Sequence, residues 1–178
     1  MILIINVCKE ELHYFEFVRP IEKIVQKEFI TKHYKELFKS DLEKCDKIII
    51  CGTSLKDNEF MKDPSFFNWI KNFQKPLLGI CAGFQLIGLV FGGKIRKKTE
   101  IGFYLENFRE DFLGIKNEQE VYHLHKNYID FSPSKDFKIF SSSQIPQAIK
   151  HNQKKIYAVL FHPEVRQKEL IKNFLKVK

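Results

Sequence analysis

Three short, wholly apolar runs, Ile2-Leu3-Ile4-Ile5, Ile48-Ile49-Ile50 and Leu77-Leu78-Gly79-Ile80, punctuate the first half of the chain. They are too short for core helices and lack the polar alternation of a half-exposed strand, so each is expected to be a strand buried on both faces. Between them lie stretches of helical periodicity. That order implies α/β architecture, a three-layer sandwich with helices on both sides of a mostly parallel central sheet. In detail, residues 2 to 7 are expected to form the first strand and Pro20 to about Lys27 a helix on Ile21, Ile24 and Val25. Phe29 to Tyr34 is a weaker strand, Lys47 to Ile50 a central one, and Ser65 to Phe73 a helix stopped by Pro76. Leu77 to Ile80 re-enters the sheet, and Ala82 to Phe91 is a helix with Leu86, Ile87, Val90 and Phe91 on one face, closed by Gly92-Gly93. The second half is more strand-like, with runs near 101–107, 120–125, 137–142, 147–150 and 156–161, several of them antiparallel. Asp111 to Glu120 is a polar connection and Arg166 to Val177 a closing helix. With 178 residues, 44% hydrophobic, and no repeat or linker, one domain over 1–178 is expected.

In sheets of this kind ligands bind beyond the carboxyl ends of the strands. Cys81 falls at such an end, between Gly79 and Gly83, where the strand turns into a helix. A residue on that turn adopts a strained backbone with its side chain presented outward, and flanking glycines remove the side chains that would collide. The helix that follows directs its positive end at Cys81, a suitable place for developing negative charge. Near the C-terminus another apolar strand ends in His162-Pro163-Glu164. Glu164 lies two residues from His162, on the same side of an extended segment, so a nucleophile, a base and a group that orients the base can converge. The bland reading of an isolated cysteine, a small core residue, is applied to Cys8, Cys45 and Cys51.

Composition excludes several other classes. The net charge of +8 comes mostly from lysines spread along the chain and interleaved with acids, which implies a solvated surface rather than a nucleic-acid footprint. The basic run Lys94, Arg96, Lys97, Lys98 is expected to be a solvated loop. No segment is long enough for a membrane-spanning helix, and Met1 to Asn6 is too short for the apolar part of a secretion signal. The four cysteines show no CxxC or zinc-type spacing, so no disulfide framework or structural metal is expected and a reducing cytoplasm fits. His123 and His125 share a strand face and could ligate a metal; with no third ligand apparent nearby, a satisfied structural pair is the expectation.

Gly79-Ile80-Cys81-Ala82-Gly83-Phe84-Gln85, together with Phe161-His162-Pro163-Glu164-Val165, resembles the G-[IVT]-C-x-G-x-Q and F-H-P-E motifs of the class I (triad) glutamine amidotransferases, a family of flavodoxin-like fold. The resemblance implies a glutaminase with Cys81, His162 and Glu164 as its catalytic triad, acting through a γ-glutamyl thioester and needing no cofactor or metal. It further implies oxyanion donors at the N–H of Ala82 and in the loop after Ile50, where Cys51-Gly52-Thr53-Ser54 replaces Ser-Gly-Gly-Pro and the donor falls on Thr53 beside Gly52. Threonine would be strained there if the loop required positive φ. Gln85 matches a position that contacts the substrate glutamine. Leu124, His125, Lys126 and Asn127 match a segment that holds its α-carboxylate and amine through main-chain groups, His125 standing for the histidine of Ser-His-x-Asp and Asn127 replacing the aspartate.

Within the family, Ile156 to Val165 and Ile171-Lys172-Asn173-Phe174 resemble the final strand and helix of the separate glutaminase subunit of two-chain GMP synthases. That resemblance implies a partner synthetase chain that receives the ammonia. The alternatives are a stand-alone hydrolase of γ-glutamyl amides or peptides and a non-catalytic regulatory module on the same scaffold.

Overall fold

The computed structural model describes residues 1–178. In chain order the elements are β1 (Ile2–Asn6), α1 (Glu11–His13), a π-helical turn (Tyr14–Val18), α2 (Arg19–Val25), β2 (Phe29–His33), α3 (Lys39–Lys44) and β3 (Lys47–Ile50). Then follow α4 (Glu59–Lys62), a 3-10 stretch (Pro64–Asn72), β4 (Leu77–Ile80), α5 (Ala82–Val90), β5 (Lys94–Phe112) and β6 (Ile115–Asp130). The chain closes with β7 (Phe137–Ile139), β8 (Ala148–His151), β9 (Ile156–Val159) and α6 (Lys168–Phe174).

Seven strands form one sheet in the order β2-β1-β3-β4-β9-β8-β7. The five strands from β2 to β9 run parallel, while β8 and β7 add antiparallel at one edge. The apolar runs at its centre are fully buried because each strand offers residues to both faces: Ile4, Ile49 and Leu78 to a core under α2 and α6, Leu3, Ile48 and Leu77 to a core under α5 and the 3-10 stretch. This is the expected three-layer sandwich. Parallel pairing brings the carboxyl ends of β1, β3, β4 and β9 to one edge, so residues after Ile50, Ile80 and Val159 gather there although they are far apart in sequence.

α5 lies unusually close to the sheet. A Cβ on Gly79 would come within 2.6 Å of the Gly83 carbonyl carbon, and one on Gly83 within 2.5 Å of the Ile50 carbonyl oxygen. The two glycines around Cys81 are thus required by backbone approach, and they seat the start of α5 directly over β3 and β4.

Several sequence expectations change. The polar connection over Asp111 to Glu120 is the tip of a long two-stranded antiparallel hairpin, β5–β6, turning at Leu113 (φ 53°) and Gly114 (φ 89°). Two successive positive φ values are the hallmark of the tight turn whose twist matches a hairpin. Asn173 Nδ2 of α6 donates to Leu113 O at 3.0 Å and ties the turn to the body. The basic run read as a loop, Lys94 to Lys98, is the start of β5. The helix read at Ser65 to Phe73 is the 3-10 stretch, and the polar loop before it contains α4. No helix is long and apolar enough to cross a membrane.

Candidate active site

Cys81 caps the N-terminus of α5 with φ 47° and ψ −94°, outside the regions open to residues with a Cβ. The conformation is held from both sides: Cys81 N–H donates to Val159 O at 2.8 Å, and its carbonyl accepts from Gln85 N–H at 3.0 Å. The thiol lies against Leu124 O at 3.5 Å, in the strand β6 that crosses this edge of the sheet. The other thiols have a different setting. Burial pushes Cys8 up to about 11 and Cys51 well above its ordinary value, while Cys45 and Cys51 are fully enclosed. They are core residues, as expected from their apolar context.

His162 and Glu164 follow β9 in a short turn, with Val165 N–H donating to His162 O at 3.2 Å. His162 N–H donates to Tyr122 O of β6 at 2.8 Å, which locks this turn to the hairpin. The His162 ring is 1% exposed, and its Nδ1 lies 2.7 Å from Glu164 Oε1. Burial disfavours an imidazolium here, but the facing Glu164 carboxylate and the Cys81 sulfur outweigh it, and the His162 pKa is held well above its usual value. Nε2, the nitrogen not turned toward Glu164, has no hydrogen-bond partner. Gly52 is where these groups meet: a Cβ there would stand 2.6 Å from His162 Cε1 and 3.4 Å from Cys81 Cβ. Phe17, from the π-helical turn, packs on the imidazole with ring centroids 5.4 Å apart.

Thr53 is 4% exposed and has ordinary negative φ, so the strain considered for it from the altered loop does not arise. Its hydroxyl donates to Asp57 Oδ2 at 2.6 Å. Asp57 also accepts from Lys9 N–H at 3.0 Å and lies 2.8 Å from His13 Nδ1. Burial would raise the Asp57 pKa, but these donors lower it below the usual carboxylate value. Sequence reasoning missed Asp57, whose only signal is an acid four residues after Thr53. Neither Thr53 N–H nor Ala82 N–H is engaged by an acceptor within the chain.

A small cleft opens onto Cys81 and is lined by Thr53, Ala82, Gln85, Leu124, His125, Lys126 and Asn127 among others. Of the residues singled out in the sequence, Gly52, His162 and Glu164 lie behind this lining. Gln85 Nε2 donates to Asn127 O at 2.8 Å, so Gln85 also braces the β6 segment that forms the opposite wall.

The expectation for His123 and His125 needs correction. The hairpin register sets Glu100 directly across from His125, and Gly102 across from His123. Glu100 Oε2 lies 2.9 Å from His123 Nδ1 and 3.2 Å from His125 Nε2, so a third potential ligand is present. Nor is the pair fully satisfied, because His123 Nε2 and both ring nitrogens of His125 make no well-aligned hydrogen bond. Burial, reinforced by the neighbouring His123, pushes His125 down to about 4. Glu100 was invisible while Lys94 to Lys98 was read as a loop.

A strained cysteine at a strand-to-helix elbow thus stands beside a buried histidine–glutamate pair at one edge of an α/β sandwich. The family model described as "Glutamine amidotransferase class-I" matches residues 14–178, and the chain belongs to that family. It is 33% identical over 149 residues to the glutamine-hydrolyzing GMP synthase subunit of Sulfolobus acidocaldarius, covering 77% of this chain and 79% of the relative. It is 36% identical over 117 residues to the same subunit of Methanocaldococcus jannaschii, covering 60% of this chain and 62% of the relative. Against the glutamine-hydrolyzing GMP synthase of Spiroplasma kunkelii, identity is 33% over 129 residues, and the chain spans only 24% of that protein's length. Among solved structures, a protein provisionally described as a GMP synthase subunit from Thermoplasma acidophilum superposes with a TM-score of 0.84 at 23% identity, covering 98% of this chain and 92% of that one. A glutamine amidotransferase from Thermotoga maritima gives 0.71 at 22% identity, covering 98% and 80%.

Proposed function

We propose that residues 1–178 act as one glutaminase domain, which hydrolyses the side-chain amide of glutamine through a thioester on Cys81 and delivers the ammonia to a separate synthetase subunit of the GMP synthase type in the cytoplasm. The observation that carries this reading is the convergence of Cys81 and His162 at Gly52, with Glu164 on the His162 ring and Cys81 alone of the three lining the cleft.

The steps follow from the atoms available. Glutamine enters the cleft with its α-carboxylate and amine against main-chain groups of Leu124 to Asn127, a wall that Gln85 braces. The Cys81 thiol leaves its contact with Leu124 O and gives its proton to His162 Nε2, and the sulfur attacks the amide carbon. Glu164, on Nδ1, keeps Nε2 directed at the reaction and balances the imidazolium. The oxyanion of the tetrahedral intermediate accepts from the N–H groups of Thr53 and Ala82; each such donor is worth about 100- to 1,000-fold in rate. His162 then protonates the departing nitrogen, the C–N bond breaks, and ammonia leaves a γ-glutamyl thioester on Cys81. Water, deprotonated by His162, attacks the thioester and releases glutamate and the free thiol.

A partner chain is supported by the outer face of β5, where Ile101, Phe103 and Leu105 are 53%, 56% and 67% exposed in a continuous apolar stripe. The stripe adjoins the His162 turn, since the Arg166 guanidinium lies 5.8 Å from the centre of the Phe103 ring. The relatives named as GMP synthase subunits agree with a two-chain arrangement. The test is ammonia release from glutamine, measured with and without the partner synthetase. Cys81→Ala should reduce release to the solution background while the fold is retained, and undiminished release from that variant would overturn the proposal.

A further inference from the structure

Behind the cleft, the inner face of the β5–β6 hairpin gathers two imidazoles and a carboxylate that the proposed hydrolysis does not consume as acid, base or nucleophile. From their geometry we infer that Glu100, His123 and His125 form a binding site for a divalent transition cation of the zinc class. All three donor atoms lie within 4.8 Å of one another. Zinc bonds of about 2.0–2.2 Å in a tetrahedral array set their donors roughly 3.3 Å apart. Glu100 Oε2 stands 2.9 Å from His123 Nδ1 and 3.2 Å from His125 Nε2, two separations close to that spacing.

Three observations point to a ligand rather than to a hydrogen-bonded cluster. His123 and His125 are 0% and 1% exposed, yet three of their four ring nitrogens make no well-aligned hydrogen bond. Buried polar atoms in that state each carry an uncompensated desolvation cost, and a cation would satisfy His125 Nε2 directly. Supporting groups of the kind that orient metal ligands are also in place. His123 Nε2, the nitrogen remote from Glu100, faces Glu106 Oε1 at 3.6 Å, and Gln147 Nε2 donates to Glu100 Oε2 at 3.3 Å. Finally, Gly102 is the cross-strand partner of His123, so no side chain from that position of β5 competes for the imidazole. Two imidazoles and one carboxylate select Zn²⁺ over Mg²⁺, which prefers all-oxygen, largely hydrated sites.

The site adjoins the cleft without being part of the triad. His125 lines the cleft and its neighbour Leu124 contacts the Cys81 thiol, so a bound cation would pin the two strands where the β6 wall begins. The cation-binding inference stands or falls independently of the glutaminase reading.

The test is equilibrium binding of Zn²⁺, and of Co²⁺ as a spectroscopic probe, to chelator-stripped full-length protein and to Cys81→Ala, which removes the competing thiol. Both proteins should bind one equivalent, and Co²⁺ in Cys81→Ala should give the intense visible bands of a tetrahedral N/O site without thiolate charge transfer. Glu106→Gln should weaken Zn²⁺ binding about 10- to 100-fold, and His123→Gln should weaken it further. Mg²⁺ should not compete. The inference is overturned if Cys81→Ala binds no Zn²⁺, or if a folded His123→Gln or Glu106→Gln binds as tightly as the parent. Should His123→Gln fail to fold, Glu106→Gln and the Co²⁺ spectrum decide the matter.

Discussion

Cys81→Gly is expected to be more stable than Cys81→Ala, because the backbone at this position is one that only glycine adopts without cost. At φ 47° and ψ −94°, a residue with a Cβ carries strain of about 1–3 kcal/mol. Alanine keeps that Cβ and the strain with it, whereas glycine relieves it and surrenders about 0.5–1 kcal/mol of backbone entropy. The difference should favour glycine by roughly 1 kcal/mol, with an upper bound near 2.5. For a domain of this size each kcal/mol moves the melting temperature by about 2–4 °C, so the glycine variant should melt a few degrees above the alanine variant. Both lack the thiol, which leaves loss of sulfur out of the comparison. Paired thermal and urea unfolding of the two variants provides the assay. A glycine variant that melts at or below the alanine variant would refute the claim that strain is stored at Cys81.

Other perturbations test neighbouring parts of the account. Gly52→Ala brings a Cβ to 2.6 Å from His162 Cε1; a displacement of about 1 Å in such a group costs on the order of 100-fold, so kcat for glutamine should fall by about that factor with little loss of secondary structure by circular dichroism. Asp57→Ala leaves the Thr53 hydroxyl, Lys9 N–H and His13 without their common acceptor; destabilisation of about 1–3 kcal/mol in urea unfolding should accompany a fall in kcat. For pH, the folded pKa of His162 exceeds its unfolded value, so the folded state binds more protons in that window and the stabilisation is fully present below about pH 6.5 and lost as pH rises through the folded value. Unfolding free energy measured across that window should decline with a slope that Glu164→Gln diminishes, and an identical slope in the variant would contradict the assignment.

The central sheet could be read from sequence because its strands are buried on both faces: Ile48-Ile49-Ile50 and Leu77 to Ile80 have no polar interruption, and nothing but a parallel core accommodates them. Cys81 was legible for a related reason, since Gly79 and Gly83 are there to admit backbone contact and that contact makes the elbow. The hairpin resisted reading. It leaves the main sheet with one face in solvent, so β5 carries Lys94, Arg96, Lys97 and Glu110 beside Ile101, Phe103 and Leu105, and neither charge nor hydropathy marks its limits. Glu100 was lost with it, because the meaning of Glu100 depends on cross-strand register to His125. Asp57 and Phe17 act through contacts 44 residues distant in sequence to His13 in the one case and through a π-helical turn against His162 in the other. Nothing local in the sequence encodes either contact. Proline and the apolar spacing placed the helix before β4 correctly in position, but not its tighter 3-10 winding, in which Phe67 and Ile70 pack in one core with α5.

The most direct test of the central claim is covalent trapping with an electrophilic glutamine analogue, read by intact mass and peptide mapping, on the chain alone and together with a synthetase subunit of the proposed GMP synthase type. A single adduct on Cys81, suppressed by excess glutamine and reduced in His162→Gln, is the predicted result. Failure to label Cys81 in either setting, or labelling spread equally over Cys8, Cys45 and Cys51, would contradict the account.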